Sequence, residues 1–111
     1  MRLENKVALI TGAAHGVEGE LMGFGGATAR LFVHEGAKVV LGDIDIESGE
    51  KTTSQIRENG GDALFTPLDV TKEKDWINAI KVTIDNYGRL DILVNNAGSA
   101  ALFTVEDTTP E

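Results

Sequence analysis

The stretch TGAAHGVEGELMGFGGATAR, residues 11–30, carries six glycines in twenty residues. A short apolar run rich in β-formers, KVALI at residues 6–10, leads into it. A helical pattern at residues 27–35, stopped by Gly36, leads out of it. Strand, glycine-rich turn and helix in that order frame a phosphate site. The glycines let the backbone approach an anion without Cβ clashes, and the helix N-terminus offers its unpaired N–H groups. Here, however, the turn is written twice. Gly12, Gly16 and Gly19 offer one spacing; Gly12, Gly23 and Gly25 offer another.

Beyond the turn, the pattern repeats. KVVLGD at residues 38–43, ALFTP at 63–67 and DILVN at 91–95 read as three more strands, apolar on both faces as in a covered parallel sheet. Helical periodicity fills residues 46–58, with Asp45 as a candidate N-cap, and residues 71–87, with Gly88 at the end. In the latter, Trp76, Ile80, Ile84 and Tyr87 are expected to form the buried stripe. The order βαβαβαβ implies an α/β fold with right-handed crossovers.

An acid closes the second strand. Asp43 can accept both ribose hydroxyls of NAD and would repel the 2′-phosphate of NADP. The plainer alternative is a solvated strand-end carboxylate, or a helix cap shared with Asp45.

The totals narrow the function. With 111 residues the chain is one domain, able to bury roughly 65% of its unfolded surface. A net charge of −8 argues against nucleic acid or an anionic membrane as partner, since both reward clustered Lys and Arg. There is no cysteine, hence no disulfide framework or thiolate metal site. The N-terminal apolar run is too short for a signal peptide or membrane span, so a soluble, cytoplasmic protein is expected. His15 lies in the turn and His34 in the first helix, neither in a pattern for a nucleophile or metal. No metal site is expected.

Four motifs together resemble the N-terminal half of a classical short-chain dehydrogenase/reductase. They are the glycine turn after VALIT, the acid in VVLGD, Leu68-Asp69-Val70 after the third strand, and Asn95-Asn96-Ala97-Gly98 within YGRLDILVNNAG. The resemblance implies a Rossmann-like doubly wound parallel sheet of about four strands, order 3-2-1-4, with helices on both faces. Residues 1–111 would form a single partial NAD-binding domain lacking its C-terminal catalytic half. It also implies a cofactor site made of Gly12, His15, Gly16, Gly23, Phe24, Gly25, Asp43, Asp69, Val70, Asn96 and Gly98. In that scheme the glycines line the pyrophosphate and Asp43 holds the adenosine ribose. Asp69 accepts from the adenine amino group with Val70 beside it, and Asn96 contacts the nicotinamide-side ribose. Asn95 and Thr11 would tie the fourth strand to the first turn. Asp69 merely preceding a Thr71 cap, and the two Asn satisfying buried backbone, are the structural alternatives.

Two departures from the family pattern stand out. Its turn is Thr-Gly-x-x-x-Gly-x-Gly; here it starts correctly, breaks at Val17-Glu18 and resumes at Gly23-Phe24-Gly25. Removing residues 17–23, or equally 16–22, restores TGAAHGFGGATARLF. An insertion of seven residues is therefore expected, with Gly16 and Gly23 competing for the middle place. It lengthens a tight turn, and Glu18 and Glu20 bring negative charge toward an anion site, so weaker NAD binding is expected. Secondly, the family's Tyr-x-x-x-Lys pair is missing: Asp91 stands four residues after Tyr87, the one tyrosine. No catalytic residue is assigned. Thr108-Thr109-Pro110-Glu111 has the make-up of a helix opening, as though the chain were truncated there. DILVN would then be an exposed edge open to self-association. The expected function is the cofactor half of an NAD-dependent oxidoreductase, taking an alcohol or ketone only when completed and not catalytic alone. The alternatives are a non-catalytic nucleotide-binding module and an inactive truncated product.

Overall fold

A computed structural model of the chain describes residues 2–17 and 19–96. The strands are β1 (Val7–Thr11), β2 (Lys38–Asp43), β3 (Ala63–Pro67) and β4 (Ile92–Asn95). Between them run α1 (Phe24–His34), α2 (Ile46–Glu58) and α3 (Glu73–Tyr87). All strand pairs are parallel, in the order β3-β2-β1-β4, as the motifs implied. Thr11 is level with Gly42 of β2 and with Asn95 of β4, and Asp43 with Pro67 of β3. The fold is a Rossmann-like open sheet. No helix among the described residues is long and apolar enough to cross a membrane.

The fully buried β1 explains its continuous apolar run. Ala8 and Ile10 point to the face covered by α1 and α2, where Val39, Leu41, Ala29 and Ile56 join them. Leu9 points to the other face, where Val40, Leu68 and Ala79 of α3 meet it. Helices on both faces follow from the reversal at β1: two crossovers run one way to β2 and β3, and the third returns to β4.

The helix ends carry their expected signals with some changes. Asp45 caps α2, its carboxylate accepting the Ser48 N–H at 3.1 Å. Gly88, at φ 81°, closes α3 in the left-handed conformation that a glycine takes without strain. But α1 begins three residues earlier than the periodicity suggested, and α3 two residues later, with Lys72 at its N-cap. On α3 the buried stripe also differs from expectation. Ala79 and Thr83 are buried, Trp76 and Tyr87 are half-buried, and Ile80 and Ile84 are exposed. Ile80 and Ile84 sit one position, about 100° of turn, from Ala79 and Thr83, which face the sheet. The small residues let α3 lie close to Leu9 and Val40.

The seat of α1 is set by backbone contact. A Cβ on Gly25 would overlap the carbonyl oxygen of Gly12 and lie 3.0 Å from Ala13 Cα. The helix therefore rests directly on the turn after β1. At the other end of the sheet, Asp91 fixes the start of β4. Its carboxylate accepts the Val7 N–H at 2.9 Å, while its own N–H donates to Val7 O at 2.9 Å. Arg89 pairs with the same carboxylate at 2.8 Å.

Two outcomes are expected. Gly25→Ala should destabilise the protein by about 3 kcal/mol, because the new methyl meets backbone that cannot swing aside. On helix propensity alone the same change would stabilise by about 1 kcal/mol. Denaturant midpoints decide between the signs. Asp91 is held below the ordinary carboxylate range by Arg89 first and by the Val7 N–H second. A depressed native pKa adds stability that is full above the unfolded value, about 3.9, and lost as pH falls through the native one. The wild-type advantage in melting temperature over Asp91→Asn should therefore be full at pH 7 and fade below about pH 4, as thermal melts across pH would read.

Candidate functional site

The carboxyl ends of the parallel strands lie at one edge of the sheet, and the strand order reverses at β1. In open α/β sheets such a switch point is where a ligand crevice forms. Thr11 ends β1, and Gly12 turns the chain at φ 66°, in the left-handed region. Asp43 ends β2, Leu68-Asp69-Val70 follow β3, and Asn95-Asn96 close β4. The sheet thus gathers Gly12, Asp43, Asp69, Val70 and Asn96 along one edge.

Of the two glycines competing for the middle place, the structure seats Gly23 at the N-cap of α1, with Phe24 and Gly25 in its first turn. The first intrahelical bond runs from Ala27 N–H to Gly23 O at 3.0 Å. The N–H groups of Phe24, Gly25 and Gly26 precede it and point out of the helix end. No acid occupies that first turn, so nothing there repels an anion. Gly16 lies beside the first turn of α1 rather than at its N-cap: a Cβ on Gly26 would fall 2.6 Å from Gly16 Cα, and the Gly16 N–H donates to the Thr52 hydroxyl of α2 at 3.1 Å. The chain departs from the turn near His15 and rejoins it at Gly23. The neck is closed by the Gly23 N–H donating to His15 O at 2.9 Å. Glu20 reaches sideways to Lys51 of α2 at 2.9 Å; Glu18 lies outside the described residues. Phe24 is 87% exposed at the mouth of the site.

Asp43 is engaged with the turn as well as facing the edge. One oxygen accepts the Ala14 N–H at 3.0 Å, the other the Asp45 N–H at 3.0 Å. Each carboxylate oxygen retains a second acceptor direction, so ribose hydroxyls can still be received. His15 stands 3.4 Å from Asp45, whose carboxyl is held low by the Ser48 N–H and hydroxyl and, less, by His15. Asp69 accepts the Thr71 hydroxyl at 2.6 Å and the Thr71 N–H at 2.9 Å on one oxygen. Those two bonds, the hydroxyl's first, lower its pKa and keep it an acceptor. Thr71 precedes α3 without capping it; Trp76 of α3 donates its indole N–H to Val70 O at 2.9 Å and fixes that segment.

Thr11 and Asn95 do tie β4 to the turn: the Thr11 hydroxyl donates to Asn95 Oδ1 at 2.8 Å and accepts the Asn96 N–H at 3.1 Å. Gly98 lies outside the described residues. One residue escaped the sequence reading: Ile44, 70% exposed beside Asp43. It is a large apolar side chain left bare next to the strand-ending acid, with Val70 after the neighbouring strand. The signal was its place directly after the strand-ending acid.

Tyr87 has another task. It ends α3 at the opposite edge, where its hydroxyl donates to Asp62 at 2.7 Å. Burial first, then Asp62, pushes the phenol well above its ordinary pKa. No group of three or more His, Cys, Asp or Glu among the described residues is arranged to hold a metal.

The sequence matches the family model for short chain dehydrogenases over residues 6–111. A 2,5-dichloro-2,5-cyclohexadiene-1,4-diol dehydrogenase of Sphingobium indicum is 47% identical over 87% of the chain, which spans 36% of that relative. A cyclopentanol dehydrogenase of Comamonas is 42% identical over 99% of the chain, which spans 41% of it. Among solved structures, a hydroxysteroid dehydrogenase from Escherichia coli superposes with TM-score 0.78 at 36% identity, over 87% of this chain and 38% of that one. A short chain dehydrogenase/reductase from Burkholderia phymatum, in complex with NAD, gives 0.74 at 27% identity over 84% and 31%. The chain thus spans about two-fifths of the length of these relatives, and it belongs to the short-chain dehydrogenase/reductase family of oxidoreductases.

Proposed function

We propose that this chain supplies the NAD site of an oxidoreductase that moves hydride between the cofactor and an alcohol or ketone. The observation that carries the reading is the pairing of an acid-free α1 N-terminus with Asp43 at the switch point of the sheet. In the complete protein the bound dinucleotide supplies the hydride acceptor or donor. The residues of this chain bind and orient it. Phe24, Gly25 and Gly26 offer N–H groups to the pyrophosphate, with Gly12 and Gly23 giving the backbone room and His15 flanking the turn. Asp43 accepts the adenosine ribose hydroxyls. Ile44 and Val70 flank the adenine, Asp69 accepts its amino group, and Asn96 meets the second ribose. A 2′-phosphate would meet the Asp43 carboxylate. At about 4 Å and an effective dielectric near 20 that repulsion is of order 4 kcal/mol for one unit charge, which favours NAD over NADP.

The binding site is not a proton-transfer site. Tyr87 is committed to Asp62 at the opposite edge, with its pKa raised rather than lowered. That favours a second reading, a nucleotide-binding module that does no chemistry by itself. Its β4, the end strand of the sheet among the described residues, would support pairing with another copy. A soluble, cytoplasmic setting suits either reading.

Calorimetric titration of NAD and NADP into the chain, and into a form lacking residues 16–22, tests the proposal. Both forms should bind NAD, because the loop lies to the side, and NADP should bind at least about 100-fold more weakly. Asp43→Asn should narrow that gap by about tenfold or more. Absence of NAD binding in both forms would sink the nucleotide-site reading; equal affinity for the two cofactors would sink the NAD preference alone.

A further inference from the structure

Resting on the nucleotide-binding reading, we infer that residues 16–22 are a strapped loop and that Thr52 is the positioning residue that keeps it off the dinucleotide site. The Thr52 hydroxyl, fully buried, donates to Ala14 O at 2.6 Å and accepts the Gly16 N–H at 3.1 Å. Arg30 of α1 donates to Gly16 O and to the side chain of Gln55. Val17 is buried, and its carbonyl accepts the Glu20 N–H at 3.1 Å, folding the loop back on itself. Lys51, one residue before Thr52, takes the Glu20 carboxylate at 2.9 Å.

The side-chain anchors come from α2 and from Arg30 of α1, while the Gly16 backbone packs on Gly26 of the α1 first turn. The Lys51 pair holds Glu20 on α2. Without these anchors the loop is tethered only by its neck. A free loop would carry Glu20 through the space where an anion must sit, and binding would have to order it each time. Thr52 is the central strap because its one buried hydroxyl bridges Gly16 and Ala14. Removing its hydroxyl leaves a buried N–H and a buried C=O without that partner. The exposed Lys51–Glu20 pair adds a weaker hold.

The test is Thr52→Val in the full chain and in the form lacking residues 16–22, with calorimetric NAD titration of each. Cleavage after Glu20 by a glutamate-specific protease, followed by mass spectrometry, reads loop release directly. In the full chain Thr52→Val should weaken NAD binding about tenfold and speed cleavage about tenfold. In the loop-deleted form the affinity loss should shrink to about threefold or less, since only the Ala14 contact remains to be lost. An equal loss in both backgrounds, or an unchanged cleavage rate, overturns the inference. Lys51→Gln, a surface change that does not threaten folding, should shift both readouts the same way by about twofold; no shift in cleavage counts against the strap. If no form binds NAD, the nucleotide reading fails while the cleavage rates still decide whether the loop is strapped.

Discussion

The contact of Gly25 with the carbonyl of Gly12 is the constraint on which the site rests. It brings α1 onto the turn after β1 with no side chain between them. The α1 N-terminus is thereby fixed at the carboxyl edge of the sheet. The same turn is bound across to β2: Ala13 N–H donates to Gly42 O at 3.3 Å and Ala14 N–H to Asp43. Turn, helix end and acid are one hydrogen-bonded unit. A helix end and a carboxylate so linked keep their separation, which is what a ligand with phosphates and a sugar would require.

The chain detours between His15 and Gly23, and the hydrogen bond from Gly23 N–H to His15 O closes that detour at its neck. Upstream, Gly12, Ala13 and Ala14 keep their bonds to β2; downstream, Gly25 keeps its seat. The entropy of closing a loop grows slowly with its length, by about 0.6 kcal/mol per doubling, so a short detour on a closed neck is a modest burden. A detour between Gly23 and Gly25 would break the first turn of α1 instead.

The fold was legible because the strands are buried on both faces and punctuated by glycine and acid. β2, β3 and α2 fall where their sequence patterns put them. The site edge was legible through Asp43, Asp69 and Asn96, whose places follow from strand ends. What could not be read was tertiary. The α3 stripe of Trp76, Ile80, Ile84 and Tyr87 has helical spacing, yet close packing on Leu9 and Val40 favours the small Ala79 and Thr83. Removal of residues 16–22 and of 17–23 gives one and the same string, so only the partners of Gly16 and Gly23 separate them. Ile44 was missed because exposure, not composition, marks it.

The two edges of the sheet divide their polar groups by task. At the amino edge those groups are spent on one another: Tyr87 on Asp62, Asp91 on Arg89 and Val7, with Lys38 5.8 Å from the Tyr87 ring centre. These contacts hold strand starts and helix ends together, and burial first, then Asp62, raises the phenol's pKa, the opposite of what proton transfer near neutral pH needs. At the carboxyl edge, by contrast, the acceptors keep spare capacity and the α1 N–H groups face outward. A tyrosine in this chain is thus a strut by its position as well as its partner. On the proposed function, a proton-transfer group would have to approach from the carboxyl edge, where Asp43 and the α1 N-terminus lie.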